Sequence, residues 1–575
     1  MSYLQVYWQR YRVMFLITVF FIAGEAFADL MQPALMARII DRGVADSSLS
    51  SIEHDGLFML LIALFGALCA STRNILSVRV SQDFARDLRE DLYQKIQHFS
   101  VDRIDKFGHA TLMTRLTNDV TRVQTFANGM MRMMMKAPLV GIGSLVMAIH
   151  LNGRLSVILL VMIPIIALLI FLNMHVSFPY YRKVQHALDT LNLSLQEYLS
   201  GIRVIKIFNR TRDEHERFQV NNHQLGHFSA TATKVGSTFG SLVNLAVNAG
   251  ILAILWFGGV GVDKGSIQVG SVIAFTNYMM QILFAIMMVN NAVNQWVRAR
   301  ASAERIGSVI NEKNTMLFPE ETFKAAGKGA LVFDHVIFSY NGREKSFGLK
   351  AIDFSITPGT VFGIIGPVAS GKSTLAQLIL RFYDPANGEI CLDGRGLSSY
   401  SERDLRSRVA LVPQAPLLFS GSIQENIRWG NQEASDEEVI RAAKLAEADA
   451  FIRKTADGYQ SIVGQGGVNF SGGQKQRISI ARALIRHPEI LILDDATSAV
   501  DALTDQKIRS NFAAMDEAMT CIIISSRVAS IMDADQILVL NEGRIEALGR
   551  HHELLQLSPY YQSIYQTQRV GEGQE

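Results

Sequence analysis

The sequence predicts two fold classes in series: an α-helical transmembrane domain of six long spans with cytosolic extensions, then an α/β domain with a largely parallel sheet. Three observations predict this. Apolar runs long enough to cross a bilayer, about 20 residues, recur six times before residue 300. After residue 330, short β-branched runs alternate with helical stretches. Between one such run and the next helix lies a loop rich in glycine that ends in lysine and serine.

The composition agrees with a mixed chain. Of 575 residues, 49% are apolar and 19% charged, and the mean hydropathy is +0.17. A soluble chain carries about a quarter charged residues. Lys plus Arg number 55 against 53 Asp plus Glu, a balance that gives no support to nucleic-acid binding. Three cysteines, Cys69, Cys391 and Cys521, make neither a disulfide framework nor a thiolate zinc site and suit a reducing interior.

The expected spans lie near 13–37, 56–79, 131–152, 155–178, 237–260 and 268–292. Asn152-Gly153 forms a tight turn between the third and fourth. The stretches 80–130 and 179–236 are charged and helical in pattern; they read as span helices continuing into water. Segment 41–55 holds one basic residue, Arg42, whereas 81–130 holds Arg86, Arg89, Lys95, Arg103, Lys106, Arg115 and Arg122. The extensions and both termini are therefore expected on the cytosolic side of the cytoplasmic (inner) membrane. The first apolar run is too long for a cleaved signal peptide and lacks a small-residue cleavage site.

Polar groups inside the spans have two readings. Glu25 and Asp29 share a helix face, as do Asn244 with Asn248 and Asn277 with Gln281. One reading is a substrate cavity lined by Glu25, Asp29, Asn277 and Gln281, with Met279, Met280 and Met287. The other is hydrogen bonding and packing between helices. Two acids facing a cavity favour cationic cargo. Pro33 follows them and is placed to kink the helix. The run Met130–Met135, interrupted by Arg132, reads as interface packing.

The second half carries the chemistry. Residues 311–329 are polar and read as a linker between a membrane domain (1–310) and the α/β domain (330–567), with a tail at 568–575. The strand-like Val361–Ile365 leads into Gly366-Pro367-Val368-Ala369-Ser370-Gly371-Lys372-Ser373, and Thr374 continues into a helix. This is a complete phosphate loop in its strand–loop–helix context. Its N–H groups and helix start favour phosphate; Lys372 offers a charge to the β/γ-phosphates and Ser373 a hydroxyl to Mg²⁺. The apolar run 490–493 ends in Asp494, the Walker B pattern, which reaches the same Mg²⁺.

Phe470-Ser471-Gly472-Gly473-Gln474 resembles the signature sequence of ATP-binding cassette (ABC) proteins. The whole chain resembles a bacterial half-size ABC exporter of the multidrug and lipid type. The resemblance implies ATP as fuel, Gln414 as the Q-loop residue near the metal, Ser498–Asp501 as the D-loop and Tyr340 as the adenine-stacking ring. It implies that Ser471, Gly472, Gly473 and Gln474 act in trans on nucleotide held by a second chain. It also implies short contact helices at the tips of the cytosolic extensions, placed near Gly108–Arg115 and Arg210–Glu216.

Departures from the family pattern sharpen this. The family's catalytic glutamate is Asp495 here, one methylene shorter, and its switch histidine aligns with Ser526. Ala369 replaces a common loop glycine, Phe470 a common leucine, and Gln465 a common glutamate. A weakened own site beside a sound signature implies a heterodimer with a second half-size subunit; a slow homodimer is the rival. The expected activity is ATP-driven export of amphipathic drugs or lipids out across the cytoplasmic membrane by alternating access. The alternatives are a lipid flippase and an ATP-gated sensor.

Overall fold

The computed structural model describes residues 3–44, 49–320, 327–340, 348–513 and 519–572. Part of the expected linker (321–326) and the last three residues of the expected tail lie outside them. The chain forms two compact units: residues 1–98 with 108–312, and residues 99–107 with 313–575.

The first unit is helical. Among the described residues, six helices are long and apolar enough to cross a membrane: Leu4–Gly43, Leu49–Gln97, His109–Leu151, Gly153–Ser200, Thr211–Asp263 and Val269–Ile310. Leu49–Gln97 has 49 residues, about 73 Å at 1.5 Å each. That is more than twice the hydrocarbon core of about 30 Å, so each long helix must extend into water. Phe20, Ile75, Phe171 and Trp256 lie exposed on this unit, the pattern of a lipid-facing surface. Inside, Leu159, Ile166, Ile254, Phe275, Tyr278 and Met279 are fully buried. Glycine permits the close approach: a Cβ on Gly250 would meet Met279 Cε at 2.7 Å.

Asn152 accepts from the N–H groups of Arg154 (3.0 Å) and Leu155 (3.1 Å), which caps the fourth long helix and fixes the expected turn. The first helix runs through Pro33 and ends in a wider π-helical turn at Ile39–Val44. Of the methionines assigned to a cavity wall, Met279 belongs to the core, whereas Met280 and Met287 are exposed. In the methionine run, Met131 is buried and Met133 is exposed.

In the second unit a six-stranded sheet runs in the order Arg544–Gly549, Gln536–Asn541, Val361–Ile365, Thr520–Ile524, Ile490–Asp494, Val409–Val412. All neighbours are parallel except the first pair. Alternation feeds two cores: Leu491 and Leu493 pack with Ile478 and Ile480 on one face, while Ile490 and Ile492 pack with Phe333 and Leu375 on the other. A four-stranded antiparallel sheet, Leu349–Ile356, Leu331–Phe338, Asn387–Leu392 and Arg395–Gly396, covers the second core. Sequence pattern does not separate it from the parallel sheet, because period-2 alternation does not reveal strand direction.

Short helices stand at and beside the expected tips. His109–Thr114 lies within the expected Gly108–Arg115, Arg210–Glu216 opens the long helix Thr211–Asp263, and two further short helices are Val101–Phe107 and Ile202–Ile207. Val101–Phe107 belongs to the second unit. There Thr315 Oγ1 donates to Asp102 Oδ2 (2.9 Å), Tyr383 donates to Asp105, and Val101 packs on the core. Packing residues mark such a helix, and a search guided by charge passes over them. The last helix, Pro559–Glu572, runs past the expected boundary at 567 because Tyr561 and Ile564 pack one face into the core.

Candidate functional site

Parallel strands bring the nucleotide-site residues together at their carboxyl ends. The phosphate loop leaves the strand Val361–Ile365 and enters the helix Lys372–Ile379. Two of its glycines are steric requirements. A Cβ on Gly366 would meet the Leu540 carbonyl oxygen at 2.0 Å, and Gly371 has φ +104°. Ala369 occupies the left-handed region too, at φ +64°, where a side chain is strained. Val368 sits at the exposed tip and Ser370 is buried; Pro367 accepts at its carbonyl from Ser370 N–H.

Lys372 Nζ donates to the Gly366 and Pro367 carbonyls, both at 2.9 Å. Burial lowers its pKa, opposed by the nearby carboxylates of Asp494 and Asp495. Ser373 Oγ donates to Asp494 Oδ1 at 3.1 Å, so the two residues expected at Mg²⁺ are adjacent. Burial raises the Asp494 pKa; Asp495 adds to the rise, while the Ser373 bond and Lys372 oppose it. Gln414 Nε2 donates to Asp495 Oδ2 at 3.1 Å. A hydroxyl, two carboxylates and an amide oxygen form an all-oxygen donor set suited to Mg²⁺. Beside it, Gly366 and Gly371 leave no space for a Cβ.

Tyr340 hydrogen-bonds to Thr374 Oγ1 (3.0 Å) and donates to Gln377 Oε1 (2.8 Å), with Phe338 and Tyr383 edge-on against its ring. Ser471 caps the helix Gly472–Leu484 in a reciprocal box: its hydroxyl accepts from Gln474 N–H, and its own N–H donates to Gln474 Oε1 at 2.9 Å. Gly473 must be small, since a Cβ would lie 2.7 Å from the Ala499 oxygen.

Ser526 lies two residues past Ile524, which pairs in register with Asp494. Three residues without a role in the sequence reading hold this region. Gln476 donates to Ser498 Oγ (3.2 Å) and accepts from Ala499 N–H (3.0 Å), which links the signature helix to the loop after Asp495. Arg527 donates to the Ser498 carbonyl at 3.0 Å. Gln568, on the last helix, donates to the Ser526 carbonyl (2.9 Å) and accepts from Val528 N–H (2.8 Å). Gln476 stands two residues past the signature run Phe470–Gln474, its one sequence signal; Gln568 has none.

The membrane acids are not left facing a cavity alone. Arg73 Nε lies 2.6 Å from Glu25 Oε2, and Lys136 Nζ lies 2.6 Å from Glu25 Oε1 and 2.8 Å from Asp29 Oδ2. Two acids and two bases cancel, which removes the net negative charge behind the expectation of cationic cargo. Gln281 accepts from Ser144 Oγ (2.7 Å) and donates to the Asp29 carbonyl (3.0 Å), so it bonds between helices. Asn277 is exposed and donates to its own helix at the Ile273 carbonyl (3.0 Å).

Known proteins share both units. A model of the ABC transporter transmembrane region matches residues 14–287, and an ABC transporter model matches 349–498. The chain is 39% identical over 551 residues to the ABC transporter ATP-binding protein YfiB of Bacillus subtilis, covering 96% of each. It is 36% identical over 548 residues to Rv1273c of Mycobacterium tuberculosis, another ABC transporter ATP-binding protein, covering 94% of each. Its fold matches a bacterial Atm1-family ABC exporter solved with ATP bound, with a TM-score of 0.79, 24% identity and 98% of each chain covered. An integral membrane region and an ATP-binding region in one polypeptide, each matched to the same family, place this chain in the ABC transporter family as a half-size transporter with the exporter fold.

Proposed function

We propose that this chain is one subunit of a heterodimeric exporter in the cytoplasmic membrane that moves amphipathic compounds outward by alternating access. ATP hydrolysis falls mainly to the site made by the partner's Walker motifs and this chain's signature. The observation that carries this reading is an asymmetry. Asp495 and Ser526 stand in this chain's own site where the family pattern has glutamate and histidine, while the Ser471 cap is sound.

The residues divide the work. Gly366–Gly371 wrap the phosphates and Lys372 turns from its loop carbonyls to them. Ser373, Asp494 and Gln414 would hold Mg²⁺, which when bound neutralises charge on the transferring phosphoryl group. A general base contributes about 10²–10⁴-fold and must come within about 2.6–3.2 Å of its proton; Asp495 is short for that reach and is engaged by Gln414. The exposed start of the signature helix presents Ser471 and free N–H groups to the partner's nucleotide. Exposed Val204, Ile207 and Phe208 at the short helix Ile202–Ile207 offer an apolar tip for a second subunit to cover.

The test measures ATP turnover and dye movement in proteoliposomes, for the chain alone and with a partner carrying glutamate and histidine. Ser471→Ala should reduce the pair's turnover more than Asp495→Asn does. The reverse order overturns the assignment, as does full-rate turnover by a symmetric dimer of this chain. Stimulation by lipid alone favours a flippase.

A further inference from the structure

The four charges in the membrane unit form a graded cluster with one end open. Glu25 and Arg73 are buried, with side chains 9% and 8% exposed. Lys136 is 18% and Asp29 37% exposed. These last two border a cavity of about 200 Å³ walled by Gln281, Val140, Phe284 and Met288. The visible end of the cluster is therefore one ammonium and one carboxylate, 2.8 Å apart, facing an apolar wall.

The buried end fixes the open one. Glu25 is held by Arg73 through contacts of 2.6 and 3.3 Å, and Arg73 also donates to the Arg132 carbonyl at 3.5 Å. Glu25 therefore keeps a cationic partner if Lys136 turns toward the cavity. Gln281 ties down the Asp29 backbone. Asp29 and Lys136 can each exchange the other for a ligand group while the remaining charges stay satisfied.

We propose that this cavity is a subsite for the polar end of an amphiphile bearing an ammonium and an acid group close together, an ammonium–acid zwitterion. This rests on the exporter reading and narrows its cargo. Beside an apolar wall an unpaired charge is expensive. A simple cation at Asp29 leaves Lys136 beside a like charge, and a simple anion at Lys136 meets Asp29. A zwitterion replaces the single Lys136–Asp29 pair with two, its ammonium on Asp29 and its acid on Lys136, and strands nothing. Phe284, Met288 and Val140 then receive the aryl or acyl body. An amino-acid conjugate and an ethanolamine phospholipid share this chemistry.

Three dansyl probes with one fluorophore separate the possibilities: Nε-dansyl-lysine (zwitterion), dansylcadaverine (cation) and dansyl-aminohexanoate (anion). Binding is read by dansyl fluorescence to the full-length protein, in the assembly in which it purifies, in phosphatidylcholine nanodiscs. The zwitterion should bind about tenfold more tightly than either other probe, the scale of one charge-assisted hydrogen bond. Asp29→Asn should abolish its lead over the anion, and Lys136→Gln its lead over the cation, with thermal unfolding followed to check that each variant folds. Displacement by an ethanolamine lipid identifies the lipid headgroup as a source; no displacement points to a soluble conjugate. Equal or tighter binding of the cation, no binding of the zwitterion, or unchanged ratios in folded Asp29→Asn overturns the proposal. Mg-ATP turnover on the same samples keeps the two readings apart, since its loss tells against the exporter and its persistence leaves a failed subsite standing alone.

Discussion

Two pairs of carboxylates, one in each unit, are handled in opposite ways. Glu25 and Asp29 meet cations from other helices, Arg73 and Lys136, at 2.6–2.8 Å. Asp494 and Asp495 meet a hydroxyl and an amide, Ser373 and Gln414, both at 3.1 Å, while Lys372 is bonded to loop carbonyls. In lipid an acid must be neutralised by the fold itself. At the nucleotide site the acids meet neutral groups, and burial, which disfavours the charged form, raises the Asp494 pKa. The membrane acids are balanced by cations of the fold before any ligand arrives, whereas the nucleotide-site acids meet only neutral hydrogen-bond partners at these distances.

The largest effect should come from breaking the membrane cluster. Arg73→Met leaves Glu25 to share Lys136 with Asp29 and should destabilise the protein by about 3–5 kcal/mol, seen as a lowered unfolding temperature or lost expression. Adding Glu25→Gln should restore much of that; a double variant as damaged as the single one would break the comparison. Next, Asp495→Glu with Ser526→His should raise turnover at this chain's own site, by up to about a hundredfold if a general base is the missing element. Unchanged single-site turnover points to another defect.

Lys372→Ala should weaken ATP binding about tenfold or more and leave thermal unfolding without nucleotide nearly unchanged. It also sharpens a pH prediction. The Asp494 pKa is raised, so this carboxylate, proposed to hold Mg²⁺, protonates at a higher pH than an exposed aspartate. The Mg-dependent part of nucleotide binding should then fade as pH drops, beginning above the ordinary aspartate range. Lys372 holds that pKa down, so the loss should begin at still higher pH in Lys372→Ala; a shift the other way contradicts the coupling. Smallest is Ala369→Gly, which relieves a left-handed alanine and should add about 0.5–1 kcal/mol, checked by denaturant unfolding.

Much of the architecture was legible because it is written in local patterns. Six apolar runs, the Asn152 turn and the phosphate loop each depend on residues close in sequence. The i,i+4 spacing of Glu25 and Asp29 set their common face, yet Arg73 and Lys136 lie 48 and 111 residues from Glu25, and no periodicity connects them. Gln568 falls in the expected tail because a lone glutamine outside any periodic run carries no pattern of its own.

By itself the sequence determined the order of the two units, the strand–loop–helix that frames the phosphate loop, and the presence of Asp495 and Ser526 where the family pattern differs. Steric and hydrophobic rules acting over a few residues suffice for these. Only the tertiary structure decided that the membrane acids are neutralised, that Val101–Phe107 packs with the second unit, and that Gln568 holds the Ser526 loop. Each depends on which distant segments meet, and that is settled by packing of whole helices and strands, where the charge or hydrogen bond follows the contact.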